Sequence, residues 1–158
     1  MKITKIKTGK AIKISYEERM DSKTLTSKEK AAPEYYTAFS EMALDIKTNL
    51  AMTLGYRGKE AEEFIKRQKL GIKDISFAYK EGERYPDTYE VWGDYEIGGT
   101  IWDTPIHLCF DFGSEWSPDK SAIRILEEAE KYVNNRRAQM NLFEKPENLK
   151  DWKVTKVE

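Results

Sequence analysis

Between Ile72 and Phe112 the chain settles into a period of two. Ile75, Phe77 and Tyr79 share a face, the loop EGERYPD interrupts, Tyr89 to Ile97 resumes the alternation, and Gly98-Gly99 turns the chain into Thr100 to Phe112. Apolar residues at every second position put one face of a strand against a core and the other toward solvent. Strands joined by such short connections pair antiparallel, because a parallel pair needs a crossover of a dozen or more residues. A three-stranded antiparallel meander is therefore the constraint that any fold of this chain has to satisfy.

A sheet with one dry face needs a cover, and two helical stretches can supply it. Pro33 fits the first position of a helix in which Tyr36, Phe39, Ala43, Ile46 and Leu50 recur at helical spacing, with Gly55 as its C-terminal cap. Ser117-Pro118-Asp119 predicts a second start, with the serine capping free amides, and a helix from Pro118 to about Arg137 that buries Ala122, Ile125, Leu126, Ala129 and Val133. GKEAEEFIKR, residues 58–67, is a shorter and more polar helical stretch. At the N-terminus, Lys2–Ile6 and Ala11–Tyr16 form a hairpin turning at Thr8-Gly9-Lys10, although the alternation falters around Lys5 to Lys7, and Thr24–Ser27 adds a third short strand.

With 158 residues, the chain has the length of one domain with one core. The expected class is α+β: an antiparallel sheet of about five to six strands with two main helices packed on one face, plus an extended C-terminal tail. Residues 1–138 form the single domain and residues 139–158 the tail.

Lysine plus arginine number 27 against 28 aspartates and glutamates, so the molecule has no strong overall field to draw it to nucleic acid or an anionic membrane. Cys109, the single cysteine, lies in IHLCFDF and reads most simply as a buried thiol in a reducing compartment. The basic start MKITKIKTGK lacks an apolar core of signal-peptide length, and no stretch reaches the roughly 20 apolar residues of a membrane span. The expected location is the cytoplasm, with no membrane partner.

An enzyme would have to start from His107, the only histidine, which shares a strand face with Cys109 and Asp111. A strand interior flanked by Leu108 and Phe110 is a poor place for a nucleophile, and a strand with its thiol against the core explains the same residues. One cysteine and one histidine cannot complete a tetrahedral zinc set without carboxylate help. Glu90, Asp94 and Glu96 share a face, with Asp103 and Asp111 on the next strand, but a row of acids on a strand is ordinarily its solvated face. Phosphate-binding, dinucleotide-binding and nucleophile-elbow signatures are absent. The expectation is a non-enzymatic protein with no catalytic residue, no metal and no cofactor. Rings are dense along the meander, and Trp92, Trp102 and Tyr95 are candidates for stacking single-stranded bases, with core packing the competing explanation.

After the last helix come Gln139, Met140, Asn141, Leu142 and Phe143. QMNLF resembles the clamp-binding pentapeptide near the ends of bacterial replicative and translesion polymerases and mismatch-repair proteins: glutamine, an aliphatic residue, a small or acidic residue, leucine, phenylalanine. Chance alone should produce such a match in a chain of this length less than about once in twenty. The resemblance implies that Gln139 bonds at the rim of a pocket on the ring-shaped DNA sliding clamp, Leu142 and Phe143 fill it, and Met140 takes a lesser subsite. Alternatively, Leu142 and Phe143 fold back under the last helix as part of the protein's own core.

MKITKIKTGKAIKISYEE, SKEKAAPEYYTAF and RRAQMNLF also make the whole chain resemble small proteins from the early, replication and recombination regions of phages and prophages of Gram-positive bacteria. That resemblance implies a setting in a bacterial host cell and no particular activity. The expected function is an accessory protein that binds the sliding clamp to recruit or inhibit replication and recombination factors. Two readings stand beside it: a recombination accessory that binds single-stranded nucleic acid, and an antagonist of a bacterial defence system. The oligomeric state is not legible.

Overall fold

The computed structural model describes residues 1–97, 100–101, 106–143 and 153–157. In chain order its elements are β1 (Lys2–Thr8), β2 (Ile12–Glu18), β3 (Asp21–Ser27), α1 (Pro33–Thr53), α2 (Gly58–Arg67), β4 (Gln68–Ala78), β5 (Thr88–Ile97), β6 (Thr100–Ile101), β7 (Ile106–Asp111), α3 (Asp119–Phe143) and β8 (Lys153–Val157). The class is α+β, with one antiparallel sheet in the order β8-β3-β2-β1-β4-β5 and both β6 and β7 along the outer edge of β5.

The expected class is found, and among the described residues the sheet divides into eight strands, more than the five to six expected. Two differences account for the excess. The expected strand from Thr100 to Phe112 is split into β6 and β7, and Lys153–Val157 adds a strand on the far edge. β4 begins four residues before Ile72, directly from α2, and β3 begins three residues before Thr24.

α1 and α3 pack side by side over one face. The core between them and the sheet joins Ile6, Ile14, Tyr16, Leu25, Ile75, Phe77, Tyr89 and Val91 to Tyr35, Phe39, Met42, Ile125, Ala129 and Val133. The stripe of α1 is rotated from the expected one: Tyr35 is buried and Tyr36 exposed, and the ring of Tyr35 reaches Tyr132 across the helix pair, 6.1 Å between centroids. Gly55, at φ 89°, does cap α1, with Tyr56 N–H donating to the Ala51 carbonyl and Gly55 N–H to that of Met52. At the start of α3, Ser117 donates to the Ser114 carbonyl, and it is Asp119 that makes the junction, accepting from Gly113 N–H at 2.7 Å and Tyr89 Oη at 2.8 Å. Arg124 bridges α3 to Glu41 of α1 through both carboxylate oxygens, and Arg137 reaches Glu18 of β2 at 3.0 Å. That last ion pair holds the Glu18 carboxyl below its usual range.

Two strands carry an extra residue. In β1, Ile3 faces Tyr16 and Lys5 faces Ser15, leaving Thr4 as a bulge; in β4, Ile72 faces Gly93 and Asp74 faces Trp92, leaving Lys73 as another. The backbones of β4 and β5 approach so closely at the second bulge that a Cβ on Gly93 would lie 2.4 Å from the Gly71 carbonyl oxygen. Only glycine fits there.

The β2–β3 hairpin turns through Arg19 and Met20, at φ 51° and 68°. Two left-handed central residues define the turn whose twist suits a hairpin, normally Asn-Gly. Nothing compensates for the strain at Met20, whose side chain is 103% exposed and buries nothing. Replacing Arg19-Met20 by Asn-Gly should therefore stabilise the fold by about 1–2 kcal/mol, read as a rise of a few degrees in thermal midpoint. An unchanged or lower midpoint would refute the strain.

Candidate functional site

The register of β5 against β7 decides which side chains meet on the face that no helix covers. Glu90 pairs with Cys109, Trp92 with His107 and Thr88 with Asp111, while Leu108 and Phe110 take the core-facing positions. Cys109 is therefore exposed, which corrects the buried thiol expected from its apolar surroundings. The physical reason is parity: the apolar run around it contributes only alternate residues to the core.

Trp92 lies flat against His107, rings 4.6 Å apart and 3° from parallel, which fixes the imidazole plane. Nε2 of that imidazole is 3.3 Å from Glu90 Oε1 and 3.6 Å from Cys109 Sγ, and Sγ is 3.5 Å from the same carboxylate oxygen. Crowding of its solvent shell, the hydrogen bond to Glu90 and the charges of Glu90 and Asp111 raise the thiol above its ordinary range. An activated nucleophile needs the opposite shift, and a base-orienting carboxylate would meet the other ring nitrogen.

The row of acids does not gather. Asp94 is paired with Lys73, Asp111 stands opposite Thr88, and Asp103 lies outside the described residues. Glu90 alone of the strand acids joins His107 and Cys109, the three-donor group found among the described residues. Sequence reasoning missed this, because it placed Glu90 on the right face but had no register between β5 and β7.

Of the stacking candidates, Trp92 is on the uncovered face, lining a concavity of about 230 Å³ with Lys5, Lys73, Asp74 and Asp94. Tyr95 is not available to a base: it points to the covered side, 7% exposed. Trp102 lies outside the described residues.

The segment Gln139–Phe143 is helical. α3 runs six residues beyond Arg137, since Ala138 to Phe143 contain no glycine or proline and Pro146 is the first breaker. The extended conformation expected for the motif is thus corrected. Gln139 is half-buried, its Oε1 accepting from Arg136 at 2.7 Å, and the side chains from Met140 to Phe143 lie outside those described.

A recess that the sequence did not announce opens between α1, α2 and the end of the sheet, about 490 Å³, lined by Leu50, Phe64, Leu108 and Trp116 among others. Gln68 Oε1 and Tyr95 Oη are buried at its wall without hydrogen-bond partners among the described residues. Its lining comes from five separate segments, and the readable trace was Leu50 and Leu54, left exposed where α1 ends.

No protein-family model, curated protein or solved structure matches this chain. Among the described residues no helix is long and apolar enough to cross a membrane.

Despite its exposure, Cys109 should alkylate with iodoacetamide near neutral pH more slowly than an unperturbed thiol, because less of it is thiolate. Glu90→Gln should speed the reaction by removing the carboxylate that favours the protonated form. Equal rates in the two proteins would show that Glu90 does not act on the thiol.

Proposed function

We propose that this chain is a non-enzymatic accessory protein that docks on the bacterial DNA sliding clamp through Gln139–Phe143, recruiting or displacing replication and recombination factors. The observation that carries the reading is the five-position match to the clamp-binding pentapeptide, located in the final turns of α3. Docking has a conformational cost. From Gln139 to Phe143 a helix advances about 6 Å and an extended chain about 13 Å, so entry into a pocket that reads an extended peptide requires the end of α3 to unwind. The last four carbonyls of a helix have no intrahelical partner, and this end is where unwinding begins. It also releases Gln139 from Arg136, a contact contributing about 1 kcal/mol.

Burial of Leu142 and Phe143 on the clamp would contribute roughly 1.5–3 kcal/mol each, and ordering and unwinding remove part of that. The expected affinity is on the order of micromolar or weaker. Replacing Leu142 and Phe143 together by alanine should abolish binding of purified clamp and leave the thermal midpoint within a few degrees of the parent. Absence of binding by the parent at high micromolar clamp, with a large midpoint loss in the double variant, would sink the reading and return both residues to the protein's own core.

A second reading, single-stranded nucleic acid held on the uncovered face, is favoured by Trp92 lining one concavity with Lys5 and Lys73. Asp74 and Asp94 line the same concavity, so ring stacking rather than phosphate contact would dominate. Trp92→Ala should then remove what affinity exists, with a shallow salt dependence. A steep slope would contradict this, since it reports the release of many counterions.

A further inference from the structure

We propose that Glu90, His107 and Cys109 form a three-donor site for a divalent transition-metal ion of the zinc type, with the fourth position left open to an exogenous ligand. The inference is independent of docking through Gln139–Phe143.

Three features carry it. The first is distance. With bonds of about 2.0–2.1 Å to nitrogen or oxygen and about 2.3 Å to sulfur, tetrahedral angles set nitrogen and oxygen about 3.3 Å apart and sulfur about 3.5 Å from either. The separations here are 3.3 Å for oxygen to nitrogen, 3.5 Å for sulfur to oxygen and 3.6 Å for sulfur to nitrogen. Each edge of the triangle has the length that a shared ion would impose.

The second is convergence. Carboxylate and thiol both meet Nε2, and Trp92 holds the ring from one side. Without an ion, thiol and imidazole both turn toward the same carboxylate oxygen, and one ion can bind all three atoms in place of those contacts. These are also the only histidine and the only cysteine in the chain, brought side by side by a strand spacing of two.

The third is donor chemistry. A thiolate, a neutral imidazole and a carboxylate carry two negative charges, which balance a divalent ion, and their softness favours zinc over magnesium or calcium. On binding, the sulfur gives its proton to solvent. Three protein donors with an open position is the composition of reactive zinc sites rather than of closed structural ones. A concavity of about 350 Å³ beside Glu90 and Cys109, with Ser76, Thr88 and Asp111 on its wall, leaves room for the fourth ligand. All three donors are reachable from solvent.

The test is titration of the full chain with Co²⁺, followed by visible absorption, and with Zn²⁺, followed by calorimetry. One ion per chain is expected, with a thiolate-to-cobalt charge-transfer band and the absorption of a four-coordinate ion. Cys109→Ser should abolish the charge-transfer band, and Cys109→Ser, His107→Gln and Glu90→Gln should each weaken zinc binding at least about tenfold. Glu60→Gln, in the first turn of α2 and outside the site, should leave binding unchanged. Blocking Cys109 in the parent with a methanethiosulfonate should remove the band, and reduction should restore it, which keeps the test independent of whether a variant folds. Absence of the band, parent-like zinc affinity in any of the three ligand variants, an equal loss in Glu60→Gln, or a metal-dependent dimer in light scattering would each overturn the proposal.

Discussion

The fold depends on keeping the buried isoleucines of a long sheet on a single face, and two extra residues make that possible. In β1 the buried Ile3 and Ile6 are three apart, and in β4 the inward-facing Ile72 and buried Ile75 are three apart. Strict alternation would turn one of each pair toward water. The bulges at Thr4 and Lys73 each absorb one residue and restore the phase, so that both halves of each strand point at α1 and α3. Thr4 closes its bulge with a hydrogen bond from Oγ1 to the Ser15 carbonyl. The second bulge is accommodated by the absence of a side chain on Gly93.

Much of this was written in the chain at the level of period. The meander, the hairpin, both long helices and the Gly55 cap follow from spacing that a single segment carries by itself. The faltering alternation at Lys5 to Lys7 was the trace of a bulge, visible as a slip of phase. What could not be read depended on partners. The rotation of α1 is set by the contact of Tyr35 with Tyr132, more than ninety residues away in the chain. The Arg19-Met20 turn carries no glycine or asparagine to announce it. The length of α3 was misjudged because the likeness of QMNLF to an extended motif outweighed the helix propensity of the same residues. In the candidate site, alternation put Glu90 on the solvated face and His107 on one face with Cys109, but the apolar surroundings of Cys109 pointed to the core, and only the pairing of β5 with β7 shows the three side by side and outward.

Stability and chemistry are divided between the two faces of one sheet. The covered face spends its residues on packing, and the hydroxyls of Tyr79 and Tyr132 at its margin are tied down, to the Ile3 carbonyl and to that of Glu29. The uncovered face is free to hold lysines, acids, one imidazole and one thiol at fixed separations, because its side chains stand on a backbone already fixed from the other side. Changes to those outward groups therefore alter chemistry with little effect on the core.

The pairing of β8 with β3 gives the end of the chain a task of its own. Without Lys153–Val157, the outer edge of β3 would present a row of unpaired amides and carbonyls, the template on which sheets of neighbouring molecules join. A molecule in which β8 did not pair would gain a cohesive edge. Self-association is in this way coupled to the integrity of the C-terminus.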